Sequence, residues 1–138
     1  MSNSESPCKI LVVDDHQDQA DSAAMLLRLY GHDVRAAYSP AEALAKVAEG
    51  PPDLILMDVG LPGKSGLDLG KEIKHFHPAV RIVVVTGFGQ DELVRASKEA
   101  GFSGHLLKPV DPAVMNAVVN EQCIAASKEC SHTPKKAC

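Results

Sequence analysis

Five short apolar runs, each closed by a polar residue or a turn and each followed by apolar positions at helical spacing, leave this chain few possible folds. The runs are residues 9–13, 34–37, 54–57, 81–85 and 104–107. Short apolar runs bounded by turn residues suit strands buried on both faces of a parallel sheet. Five strands alternating with five helices predict an α/β domain with helices on both faces of the sheet. Right-handed crossovers then restrict the topology further.

The helix signals are local and physical. Within residues 17–30, Ala20, Ala23, Ala24, Leu27 and Tyr30 share one face, and Gly31 is placed to cap the end. Ser39-Pro40-Ala41-Glu42 is a capping box, opening a helix that turns Leu44, Val47 and Ala48 inward and stops at Gly50-Pro51-Pro52. Leu69, Ile73 and Phe76 mark a third helix that ends before Pro78. A fourth, over 90–100, carries Leu93, Val94, Ser97 and Ala100 on one face. Asp111-Pro112 caps the last, with Val114, Ala117, Val118 and Ile124 as its expected buried stripe. The organisation expected is a flexible lead over 1–8, one domain over 9–126, and a disordered tail over 127–138.

Composition excludes several classes of function. The chain has 138 residues, 45% of them apolar, enough for a single well-buried core. A formal charge of −4 and no Trp give no electrostatic or stacking case for nucleic acid. The N-terminus is polar and no apolar run is long enough to span a bilayer, so no membrane association and a soluble cytoplasmic protein are expected. In a reducing compartment Cys8, Cys123, Cys130 and Cys138 are expected as free thiols. Cys123, Cys130, His132 and Cys138 contain no tight CxxC pair, which disfavours zinc.

Chemistry collects where the apolar runs stop. Asp14-Asp15 follows the first, Asp58 the third, Thr86 the fourth and Lys108 the fifth. All should therefore lie on the carboxyl edge of the sheet, where open α/β folds place ligands. A helix cap, a turn or a solvated surface charge would explain any one of them alone. Together, three carboxylates, a hydroxyl and an ammonium on one edge point to a site. Clustered carboxylates repel unless a hard cation lies between them, and Mg²⁺ is the usual choice with oxygen ligands. A carboxylate beside Mg²⁺ can attack a phosphoryl group, with the metal and a lysine offsetting charge on its oxygens. Asp58 is then the nucleophile, Asp14 and Asp15 the metal-side acids, Lys108 the countercharge and Thr86 the phosphoryl sensor.

At ILVVDD, LILMDVGLPGKSGLDL, VVVTGFG and LLKPVD the chain resembles the receiver domains of two-component response regulators, over about residues 8–125. The resemblance implies a flavodoxin-like fold of strand order 2-1-3-4-5. It also implies phosphoryl transfer to Asp58 from a histidine kinase or histidine phosphotransfer protein, and a downstream protein that reads the change. Asp15, Asp58 and the carbonyl of Gly60 would bind Mg²⁺ directly, Asp14 would act through a metal-bound water, and Lys108-Pro109 would be cis. The phosphodonor would meet the first helix, and output would use the surface from Gln90 to Ile124. A monomer or weak dimer is expected.

Two positions depart from the family pattern. Where an aromatic ring often swings inward as Thr86 engages phosphate, this chain has His105, an imidazole that is smaller and can titrate. The two positions that hold the hydrolytic water in many members are Gly60 and Phe88, neither with a polar side chain, so slow dephosphorylation is expected. GFGQ, His105 and KPVDP resemble receivers of hybrid histidine kinases more than those of DNA-binding regulators. A stand-alone receiver is the economical reading, with a receiver excised from a larger kinase and an unphosphorylated interaction module as alternatives. A haloacid-dehalogenase-type phosphohydrolase is disfavoured, since it wants an acid where Gly60 stands. So is a flavodoxin, since the first strand leads into acids and not a phosphate-cradling loop.

Overall fold

The computed structural model describes residues 8–59, 66–87, 91–108 and 110–132, with 124–132 described by backbone alone. The elements run β1 (Lys9–Val13), α1 (Gln17–Leu29), β2 (Asp33–Ala37), α2 (Pro40–Glu49), β3 (Leu54–Asp58), α3 (Gly66–Phe76), β4 (Arg81–Thr86), α4 (Asp91–Glu99), β5 (Gly104–Leu107) and α5 (Pro112–His132). All strand pairings are parallel, in the order β2-β1-β3-β4-β5. This is the flavodoxin-like arrangement expected, with β1 and β3 adjacent at the point where the strand order reverses.

Each face of the sheet carries its own core. On one, Leu11, Val13, Ile55, Met57, Ile82 and Val84 pack with Ala43 and Val47 of α2 and Leu69 and Ile73 of α3. On the other, Ile10, Val12, Leu54, Leu56 and Val83 pack with Ala20, Ala24 and Leu27 of α1 and Met115 and Val119 of α5. Consecutive residues of one strand thus feed opposite cores, which is why the strands read as unbroken apolar runs. The cap forms with its return bond one residue early: Glu42 N–H donates to Ser39 Oγ at 3.1 Å, while Glu42 Oε1 accepts from the N–H of Tyr38, just before the cap, at 2.9 Å. Gly70 faces the ring of Phe102 so closely that any Cβ would collide with it.

Several expectations are corrected. Among the described side chains of α5 the buried ones are Met115 and Val119, with Val118 partly buried as expected, whereas Val114 and Ala117 face outward. Val114, Met115, Val118 and Val119 make the apolar arc wide, which leaves its phase undetermined until the sheet supplies a face. In α2, Ala43 points inward and Ala48 outward; Tyr30 and Phe76 are exposed at the ends of their helices. Helix α5 continues past Ser127 to His132, and the side chain of Ile124 lies outside the described residues.

The largest correction concerns the cysteines. Cys8 and Cys123 are joined by a disulfide, with Cα atoms 5.9 Å apart across a sequence separation of 115. Cys8 immediately precedes β1 and is buried; Cys123 is half-buried in α5 against the same core. Only tertiary folding brings these residues together, because α5 returns over β1 after every other element has been laid down.

Candidate functional site

The strand ends converge as their positions in the sequence require. β1 delivers Asp14, whose N–H donates to Ala37 O of β2 at 3.1 Å. β3 ends in Asp58, next to β1, and its carboxylate is 8% exposed. Lys108, one residue past β5, spans β4 and places Nζ 2.9 Å from Asp58 Oδ2. The backbone secures that reach, since Lys108 N–H donates to Thr86 O at 2.7 Å. Thr86 is buried at the end of β4, one residue beyond Val85, the register partner of Asp58. Its hydroxyl lies 3.5 Å from Leu106 O, a long contact that leaves room to reorient.

The acids form one cluster. Candidate ligand atoms of Asp14, Asp15, His16 and Asp58 all lie within 4.8 Å of one another. Asp15 Oδ1 is buried and accepts no hydrogen bond, although His16 Nδ1 stands 3.4 Å from it. Asp14 is held by His16, whose N–H donates to Oδ1 at 2.9 Å and whose Nδ1 lies 3.3 Å from the same atom. Burial raises the Asp14 pKa above the ordinary 3.8 and the charge of Asp58 adds to the rise, while the His16 N–H and Lys108 oppose it. An orphaned carboxylate oxygen among clustered acids, with one charge already strained by burial, fits a hard divalent cation.

His16 was not singled out from the sequence; its signal is its place directly after Asp14-Asp15. Gly66 was also missed. It opens α3 so close to β3 that a Cβ would lie 2.7 Å from both Asp58 O and Val59 Cα, and its N–H donates to Val59 O at 3.0 Å. The helix start is thus seated directly against the backbone that carries Asp58.

A cavity of about 650 Å³ opens beside the cluster. Asp14, Asp58 and Lys108 stand at one end, and Ala23, Leu26 and Met115 wall it between α1 and α5. A smaller cavity of about 220 Å³ is lined by Thr86, Gly87, Asp91, Val94, His105 and Leu107. His105 is exposed on β5, and this cavity is what it shares with Thr86. Gly60, Phe88 and Pro109 lie outside the described residues, and with them the carbonyl expected on Mg²⁺, the shielding ring and the cis bond. Among the described residues no helix is long and apolar enough to cross a membrane.

Comparison with known proteins agrees with this geometry. The family model for the response regulator receiver domain matches residues 10–120. Transcriptional regulatory protein ZraR of Salmonella typhimurium is 40% identical over 102 residues, covering 74% of this chain and 23% of that protein. Sporulation initiation phosphotransferase F of Bacillus subtilis is 31% identical, covering 75% of this chain and 83% of that protein. Among solved structures, a CheY-like receiver domain protein from Methanospirillum hungatei superposes with a TM-score of 0.85 at 31% identity, over 90% of this chain and 99% of that one. The chain thus spans under a quarter of one of these relatives and most of the other two.

Proposed function

Because the chain belongs to the response regulator receiver domain family of two-component signalling, we propose that it is a phosphoacceptor in which Asp58 takes a phosphoryl group from a phosphohistidine donor. The observation that carries the reading is the pairing of Lys108 with Asp58 in a cluster that also gathers Asp14, Asp15 and His16. An ammonium at 2.9 Å holds the carboxylate in a defined orientation and stands where charge on the transferring oxygens must be offset.

Each group has a distinct role. A carboxylate oxygen of Asp58 attacks phosphorus as the phosphorus–nitrogen bond of the donor breaks, and the donor imidazole leaves with its electron pair. Lys108 turns from the carboxylate to the phosphoryl oxygens. Thr86, with only a long contact to Leu106 O, swings its hydroxyl toward the same oxygens. Asp15 and Asp58 would hold Mg²⁺ directly and Asp14 through water, with Gly60 supplying a carbonyl. Bound there, Mg²⁺ would neutralise the acids and draw charge from the phosphoryl oxygens. The chain accepts phosphate stoichiometrically and is not a turnover enzyme. Gly60 and Phe88 offer no side chain to hold water, which favours a long-lived product.

The partners follow from the surfaces. A histidine kinase or histidine phosphotransfer protein approaches along α1, where the 650 Å³ cavity leads to Asp58. A downstream protein reads the face from α4 to α5, with His105 and Thr86 as the switch beside the smaller cavity. The setting proposed is cytoplasmic.

Incubation of the protein with acetyl phosphate or a phosphorylated histidine phosphotransfer protein in Mg²⁺ buffer, followed by intact-mass analysis, tests the reading. Wild type should gain one acid-stable, hydroxylamine-labile phosphoryl group, and Asp58→Asn none. Labelling that persists in Asp58→Asn, or a wild type that no donor labels, refutes it.

A further inference from the structure

We propose that Cys8 and Cys123 form a reversible thiol–disulfide modification site, exchanging with cellular dithiols of the thioredoxin class, whose state sets how firmly α5 is held on the sheet. This rests on the proposed function in one respect: a receiver works beside its kinase in a reducing compartment. Disulfides formed in such compartments are mostly transient or redox-sensing.

The fold does not need the bond as a permanent staple. A chain of 138 residues with an apolar core on each face of its sheet is far above the size at which cross-links become necessary. What the bond does is specific to one helix. Within residues 112–123, α5 sits on the sheet through Met115 and Val119, with Val118 partly buried and Gln122 accepting from Arg81 at 3.2 Å. Cys123 fixes the far end of that span to the entry of β1. The near end is the wall of the cavity over Asp58, where Pro112 and Met115 stand. Residues 115 and 123 are about 12 Å apart along a helix axis. The bond therefore sits at the amino edge of the sheet and the phosphoacceptor at the carboxyl edge, with α5 touching both.

The exchange balances as follows. A thiolate of the dithiol attacks Sγ of Cys123, the more exposed sulfur, and the disulfide breaks as Cys8 leaves and takes up a proton. The second thiol of the reagent then closes on the first, releasing Cys123 as a thiol. Two electrons and two protons pass to the protein, and the dithiol becomes a cyclic disulfide.

The test uses the full chain with Cys130→Ala and Cys138→Ala, so that the other two thiols cannot exchange. Intact mass after alkylation in denaturant should show no reactive cysteine in the oxidised protein and two once the folded protein has been treated with reduced thioredoxin. Hydrogen exchange over residues 112–123 should rise on reduction, by at least about tenfold more than that of the central strands. The thermal midpoint should fall by on the order of 10 °C. Cys8→Ser should match the reduced form in hydrogen exchange and thermal midpoint, with one alkylatable cysteine, Cys123. Two alkylatable cysteines in the oxidised protein, a bond that thioredoxin cannot open while the fold persists, or equal exchange of α5 in both states would each overturn the proposal. No readout here depends on phosphorylation, so this test and the labelling of Asp58 can fail separately.

Discussion

Replacing Gly66 with Ala should act on Asp58 through the backbone. The added Cβ would lie 2.7 Å from Asp58 O, 2.7 Å from Val59 Cα and 3.3 Å from Asp58 C. Ordinary carbon contacts begin near 3.4 Å, so α3 and the end of β3 must separate by roughly 0.7 Å. Neither side yields cheaply. Asp58 is in register with Val85 on β4, and Gly66 is tied to Val59 by its own N–H. Forced separation of this kind costs about 1–3 kcal/mol, and backbone atoms on both sides favour the upper half of that range. The helix-propensity gain of Ala over Gly, at most about 1 kcal/mol and smaller in a first turn, offsets only part. A net loss of about 2 kcal/mol corresponds to a fall of roughly 6–10 °C in Tm for a domain of this size. Thermal unfolding followed by circular dichroism measures it, and the rate of labelling by acetyl phosphate should fall in the same variant. Gly50→Ala is the control, because nothing lies within 4 Å of its Cβ position and its φ of −169° suits any residue. That variant should be neutral or stabilised by up to about 1 kcal/mol. If Gly66→Ala melts within 2 °C of wild type, or the two variants behave alike, the close seating of α3 on β3 is wrong.

Two further predictions concern charge. Asp14 has its pKa raised, so its ionised form opposes folding near neutral pH and that penalty fades as pH falls through the raised value. Asp14→Asn keeps an oxygen for the His16 N–H and should stabilise the protein in EDTA, while reducing the Mg²⁺-induced rise in Tm; a less stable variant in EDTA contradicts the burial argument. His32 is shifted the other way: burial lowers its pKa below 6.5, against a weaker opposing contact from Asn120, and its Nε2 is buried without a hydrogen-bond partner. The unfolded chain therefore takes up a proton first as pH drops below 6.5, and that contribution to stability is lost toward the lowered folded pKa. Between pH 7.5 and 5.5 the urea midpoint of wild type should fall more than that of His32→Gln, and equal falls would show that His32 is solvated.

How much of this was legible in the sequence depended on whether a feature was local. The strands were, because an inner strand covered on both faces must be apolar along its buried length; 9–13 matches the observed β1, and 104–107 matches the edge strand β5 although His105 and Leu107 are exposed there. The positions of Asp14, Asp58, Thr86 and Lys108 followed, since a polar residue ending such a run can only be at the sheet edge. The phase of α5 was not legible, because Val114, Met115, Val118 and Val119 are interchangeable by hydrophobicity. Nor was the link between Cys8 and Cys123, which depends on how the last helix crosses the first strand. Gly66 sat in plain view within DVGLPGKSG, but as one of three glycines in a turn-like stretch its particular closeness to Asp58 had no sequence signature.

The link between residues 8 and 123 has a topological consequence. With it closed, nearly the whole ordered chain is a covalent ring with two short tails. A single proteolytic cut anywhere inside the ring opens it without dividing it, so a nicked molecule gains only the mass of one water and stays in one piece until a reductant is added. The unfolded ring is also confined: its ends cannot drift apart, so it exposes less surface to urea, and its unfolding slope m should be smaller than that of the open chain. The same amino-acid sequence thus has two denatured states, one circular and one linear, and a single native fold measured against each.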